Sequence, residues 1–146
     1  MASLQNGRLY HGNAVLLLDG RVLVAGSGRV GPAPQLNAEI YSPPYLFKGA
    51  RPTISSTPPD ATYGSSFTVN TPDAAGISTV SLLRISAATH AMNMDQRFLK
   101  LSFSQVAGGL NVQAPANANL APPGYYVLFI LNGSGVPSVG AVIQIH

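Results

Sequence analysis

Ile77-Ser78-Thr79-Val80-Ser81-Leu82-Leu83-Arg84-Ile85 leads into Ser86-Ala87-Ala88-Thr89-His90-Ala91-Met92-Asn93-Met94-Asp95-Gln96-Arg97, which leads out through Phe98-Leu99-Lys100-Leu101-Ser102-Phe103. The first and last runs are rich in β-branched and apolar residues and read as strands. The middle run is too long for a tight turn and too specific for a plain linker. It predicts a finger that carries one imidazole, His90, away from a small β-sheet domain towards another group.

Outward from that finger, the pattern continues as short strands between glycine- and proline-rich breaks. Strands are predicted over 53–55, 66–70, 77–85, 97–103, 110–113, 124–131 and 139–145. Breaks fall at Pro58-Pro59-Asp60, Thr71-Pro72-Asp73, Gly108-Gly109, Pro122-Pro123-Gly124 and Asn132-Gly133-Ser134-Gly135. About seven strands in roughly 95 residues is the count of an immunoglobulin-like sandwich, here without its cysteine pair and tryptophan. Residues 114–120 are alanine-rich, but Pro115 and the asparagines speak against a helix. Towards the N-terminus, 13–18 and 21–26 read as a hairpin closed by a two-residue Asp19-Gly20 turn with positive φ at both positions. Residues 27–34 form a Gly/Pro loop, and Ala38–Tyr41 a third strand stopped by Pro43-Pro44. Three short strands leave sheet edges and an apolar face open, as one blade of a β-propeller would without its neighbours. The expected fold is therefore all-β, with a partial blade over 1–49 and a sandwich over 50–146.

The composition narrows the functions. Of 146 residues, 46% are hydrophobic and 9% charged, which is not a disordered composition. The net charge of +3 is scattered, with no basic run to hold a nucleic acid. No apolar run approaches a membrane span. The N-terminus reads without a secretory leader. There is no cysteine, hence no disulfide, thiolate ligand or thiol nucleophile. No Gly-x-Ser-x-Gly elbow appears, five dispersed acids do not suggest a glycosidase pair, and Gly26-Ser27-Gly28 has no helix after it.

Imidazole nitrogen binds copper, zinc, nickel and iron, and phenolate oxygen favours oxidised, harder metals. Tyr10, His11 and His90 are the candidate donors. Neighbours on an extended strand point to opposite faces, so Tyr10 and His11 meet one metal only across a bend, for which Gly12 is placed. The alternative is that Tyr10 packs, His11 bonds the backbone and His90 stays on a surface loop. Asp95 is placed either to orient His90, or to pair with Arg97 or cap the loop. Tyr125, Tyr126 and Phe129 read as core, or as an exposed row that binds sugar. His146 reads as a loose terminus.

Arg8-Leu9-Tyr10-His11-Gly12, followed by Leu18-Asp19-Gly20-Arg21-Val22, resembles the last propeller blade of the galactose oxidase and glyoxal oxidase family of copper radical oxidases. Ala38–Leu46 is similar to that propeller's exit, and Arg51-Pro52-Thr53-Ile54 to the start of the family's C-terminal domain. Thr89–Arg97 resembles its histidine-bearing loop, and Pro122–Phe129 with Gly135-Val136-Pro137-Ser138 its closing strands. The resemblance covers nearly the whole chain, in order.

It implies a kelch-like blade and an early-set immunoglobulin-like sandwich. It also implies a copper(II) site with Tyr10 as axial tyrosine, His11 as its neighbouring ligand and His90 as the ligand delivered by the loop. The family oxidises a primary alcohol or aldehyde and reduces dioxygen to hydrogen peroxide. By this resemblance Tyr10 is the catalytic residue that takes the substrate hydroxyl proton. The radical-bearing tyrosine, thioether-linked to a cysteine, has no counterpart here. The chain is thus expected to bind copper and to be catalytically incomplete alone. Its expected partners are the remaining propeller blades, or a self-oligomer over the blade face, and a small alcohol, aldehyde or carbohydrate substrate. The expected location is extracellular. The rival readings are a free-standing carbohydrate-binding or adhesion sandwich without metal, and a small copper protein with chemistry of its own.

Overall fold

Glycine and proline interrupt this chain too often for a helix to propagate, and short strands result. The computed structural model describes residues 3–27 and 34–146. The extreme N-terminus and most of the Gly/Pro loop expected over 27–34, Gly28 included, lie outside the described residues. Strands follow in chain order as β1 (Asn13–Leu16), β2 (Val22–Ala25), β3 (Ala38–Tyr41), β4 (Asp60–Ala61), β5 (Ser66–Asn70), β6 (Ile77–Arg84) and β7 (Ala88–Thr89). They continue as β8 (Met92–Asn93), β9 (Phe98–Leu101), β10 (Phe103–Val106), β11 (Gly109–Gln113), β12 (Gly124–Asn132) and β13 (Ala141–Ile145). Short 3₁₀ turns occupy Pro44–Phe47 and Ala74–Gly76. Among the described residues no helix is long and apolar enough to cross a membrane.

The first sheet is antiparallel, in the order β1-β2-β3, with Leu16 opposite Val22 and Val22 opposite Tyr41. Its hairpin is not the two-residue turn expected from Asp19-Gly20. Leu17 and Arg21 still bond across it, so Leu18, Asp19 and Gly20 make the connection. Gly20 has φ +80°, and Asp19 is not in the positive-φ region. This is the three-residue loop in which one left-handed glycine ends a turn. Asp19 instead accepts the Arg21 backbone N–H at 3.0 Å and pairs with its Nε at 2.6 Å. That backbone bond is the chief reason its carboxyl lies below the ordinary range.

The sandwich faces a β10-β11-β5 sheet against a β4-β13-β12-β6-β9 sheet. The predicted 97–103 strand is divided at Ser102 into β9 and β10, which belong to different sheets, so this run crosses the sandwich. The predicted 53–55 strand is an isolated bridge at Ser56 opposite Asn70, and the sheet partner in this region is β4. Alternation then fills the core. Val69, Leu82, Leu110, Val112, Tyr126, Leu128, Ile130, Ile143 and Ile145 are all 0% exposed. His146 is not loose: its N–H bonds Ala61 and its carbonyl accepts from Tyr63.

The first sheet covers the outer face of the sandwich. Phe129 points away from the main core, yet it is only 4% exposed. A Cβ at Gly140 would lie 2.4 Å from Val127 and 2.9 Å from the Phe129 ring. Polar contacts fasten the two layers. Arg51 donates to Asp19 O at 2.7 Å, Pro137 O at 2.9 Å and Ser138 O at 2.6 Å. Gly140 donates to Leu18 O, and the Tyr45 hydroxyl to Gly20 O. Burial pushes the Tyr45 hydroxyl pKa up. Between the layers a cleft of about 490 Å³, lined in part by Leu16, Leu83, Phe98 and Val127, runs to the root of the finger.

Candidate metal centre

Tyr10 and His11 lie on a turn immediately before β1, closed by Gly12 N–H to Leu9 O at 2.9 Å. The bend that the two side chains require falls on His11 itself, whose φ is +63°, rather than on Gly12. A histidine tolerates this left-handed region better than most residues, but still at a cost. Gly26 makes room for it. A Cβ at Gly26 would sit 2.3 Å from the His11 carbonyl oxygen. Asn13 Nδ2 donates to that same carbonyl at 3.1 Å. The side chain of Arg8 is 3% exposed and holds the preceding segment down. It reaches Gly26 O at 2.9 Å, Asn37 O at 3.0 Å and Glu39 at 3.3 Å. Glu39 also accepts the backbone N–H groups of Gln5 and Asn6, and the Gln5 bond is the main cause of its lowered pKa.

His90 sits at the tip of the finger. Thr89 pairs with Met92, so His90 and Ala91 alone connect β7 and β8. Their φ values are +51° and +63°. Positive φ at both positions is the two-residue turn that suits a twisted hairpin, made here without glycine or asparagine. Asn93 braces the finger by accepting Ala87 N–H at 3.2 Å and donating to Ser86 Oγ at 3.2 Å. His90 Nδ1 lies 2.7 Å from Thr89 Oγ1. If that nitrogen carries the proton, Nε2 is left as the free lone pair.

The two stretches meet. The Tyr10 and His11 rings stack with centroids 3.9 Å apart. The His11 and His90 rings meet edge to face at 4.4 Å, and Tyr10 and His90 at 6.1 Å. The three rings thus form one cluster in this structure. Tyr10 is 50% exposed, so the cluster opens to solvent on its phenol side. Among the described residues no three His, Cys, Asp or Glu side chains gather into a metal-binding group, and beside the two imidazoles stands the phenol of Tyr10. Two imidazoles and one phenol fit copper(II) in kind and leave further coordination positions open.

Asp95 neither orients His90 nor pairs with Arg97. Its Oδ2 pairs with Arg84 Nε at 2.5 Å, not with Arg97 and not with His90. Arg97 instead donates to Asn119 O at 3.1 Å and Leu120 O at 2.6 Å. The Arg84 Nη1 reaches Pro122 O at 2.6 Å and the Tyr126 hydroxyl at 3.0 Å. Hydrogen bonds to Tyr126 and then Asp95 hold the Arg84 guanidinium above its ordinary, already high pKa. The sequence reading missed Arg84. The available signal was its place at one root of the finger, with Asp95 near the other. Of the expected aromatic row, Tyr126 and Phe129 are buried and Tyr125 is 56% exposed, so no sugar-binding platform forms.

Residues 51–145 match the family model described as the galactose oxidase-like, early set domain. A galactose oxidase of Gibberella zeae is 36% identical over 147 residues, covering 94% of this chain and 21% of that protein. An aldehyde oxidase of Arabidopsis thaliana is 40% identical over 161 residues, covering 94% of this chain and 26% of the relative. A solved structure of a fungal alcohol oxidase in complex with copper superposes with a TM-score of 0.88 at 31% identity, covering 99% of this chain and 32% of the other. The chain therefore spans about a fifth to a third of the length of these proteins.

Proposed function

This chain belongs to the galactose oxidase-like family through its early set domain, and on that premise we propose that it is the C-terminal portion of a copper radical oxidase. In this reading residues 1–49 are the last blade of a propeller, and 50–146 are the sandwich that delivers the finger. Tyr10, His11 and His90 would hold copper. The reading is supported by one observation above all: three rings from two distant stretches converge within 6.1 Å.

Copper, when bound, supplies redox chemistry with dioxygen and a Lewis-acid position for a substrate oxygen. The two imidazole rings of His11 and His90 would hold it. Tyr10 is half exposed, and its phenol would take the hydroxyl proton of a substrate. The overall reaction is RCH2OH plus O2 giving RCHO plus H2O2. The chain contains no cysteine, so a Cys-Tyr radical cofactor is not formed within it. The remaining blades would supply that cofactor and a further ligand. They would also cover the exposed Ile40 of the first sheet and the exposed Leu9 and Leu36 outside its strands. An extracellular location completes the reading, and a secreted host fraction carrying the full oxidase would match it.

Copper(II) titration followed by paramagnetic resonance is the test. The chain should take up one ion with a nitrogen-split spectrum and show no alcohol oxidation. His11→Ala and His90→Ala should each weaken uptake by about tenfold or more, the range of effects seen around metal ligands. Undiminished uptake in both variants would refute the shared site. Glycan binding that survives both replacements would favour the metal-free module instead.

A further inference from the structure

We infer that Arg84 is the positioning residue that sets His90 against His11, acting through Asp95. The inference rests on the reading of Tyr10, His11 and His90 as one centre. The finger has little to hold it by itself. Its tip turn uses two non-glycine residues at positive φ. No residue over 86–97 is fully buried. A hairpin this small is marginal in water without an anchor.

Arg84 supplies the anchor because its guanidinium fork reaches three parts of the molecule at once. Nε binds Asp95 at the outgoing root of the finger. Nη1 binds the Pro122 carbonyl at 2.6 Å, the Pro123 carbonyl at 3.2 Å and the Tyr126 hydroxyl at 3.0 Å. The carbon of the guanidinium lies 5.2 Å from the centre of the Tyr126 ring. Tyr126 is 0% exposed and donates onward to Pro122 O at 2.7 Å. Arg84 thus ties Asp95 in the finger to Tyr126 in the core, beside the backbone bond from Arg84 N–H to Arg97 O. Gly124 leaves the space for it, since a Cβ there would meet Nη2 at 3.0 Å. Arg97 does not substitute, because its nitrogens are turned to the carbonyls of Asn119 and Leu120. A lysine at 84 would reach one of these partners, not all of them.

Two-dimensional NMR of the chain, without metal, reads the result directly as the through-space cross-peak between the His11 and His90 rings. Arg84→Lys and Asp95→Asn should each lose that cross-peak while the signals of Tyr126 and Leu128 stay in place. Arg21→Gln, at the far hairpin, should keep it. Copper uptake should weaken in the two finger variants and not in Arg21→Gln. Retention of the cross-peak in either finger variant would overturn the inference, as would its absence in the wild type. If Arg84→Lys fails to fold, Asp95→Asn decides alone, since the Asp95 side chain is only partly buried and its replacement is close in size. A wild-type chain that keeps the cross-peak but binds no copper would sink the proposed metal site and leave the positioning role standing.

Discussion

The three-stranded sheet and the sandwich use the same kind of residue to different ends. In the sandwich, alternate positions of β12 and β6 disappear completely from solvent, and the strands brace one another from two sides. In β1, β2 and β3 no residue is fully buried. The first sheet is fastened to the sandwich by polar contacts at its hairpin, Arg51 to Asp19 O, Pro137 O and Ser138 O and Gly140 N–H to Leu18 O, while Arg8 ties its own segment to Gly26 and Asn37. The difference teaches that one part carries its own hydrophobic stability and the other borrows a surface.

The sharpest way to test that contrast is Leu128→Ala. It should cost about 2–5 kcal/mol, as for deleting a buried leucine side chain, and lower the unfolding midpoint of the entire molecule. Next is Arg51→Ala. Losing its charge-assisted bonds should cost roughly 1.5–3 kcal/mol. Hydrogen exchange should speed up in 13–25 while β12 stays protected. If β12 loses protection equally, the two parts unfold as one and the contrast fails. Gly26→Ala should cost at least the ~1–2 kcal/mol of a left-handed non-glycine residue, and displace the His11 carbonyl. The ring cluster should then loosen with little effect on the core.

The smallest effect is acid. Glu39 and Asp19 have carboxyls held below their ordinary values of 4.5 and 3.8. Their contribution is complete above those values and is lost as pH falls through the lower folded-state values. Acid below about pH 4 should therefore loosen 3–25 ahead of the sandwich, visible as earlier proteolysis there. Equal cleavage rates across that range would remove Glu39 as a fastening.

Much of this was legible in the residues. Ala38–Tyr41 and Ser66–Asn70 are strands at the expected bounds, because strong turn formers flank each. The finger was legible from its length, whereas the part given to His90 came from the family resemblance and not from the residues alone. What escaped has physical causes. The tip hairpin of β7 and β8 carries no Asn-Gly or Asp-Gly, so its turn chemistry is silent. The hairpin at Asp19-Gly20 gained a residue, since a left-handed glycine serves the three-residue loop as well as the two-residue one. The true partner of Asp95 could not be chosen by sequence distance. The β6–β9 ladder sets Leu83 opposite Phe98 and brings Arg84 to the finger's outgoing root.

Tyr10 and His11 ride on the layer that borrows its surface, and His90 on the layer that owns one. Any ion grasped by both would behave as a clasp across a seam. Its affinity would then contain the work of docking, so whatever seats the first sheet more firmly would tighten the grip without touching a single donor atom.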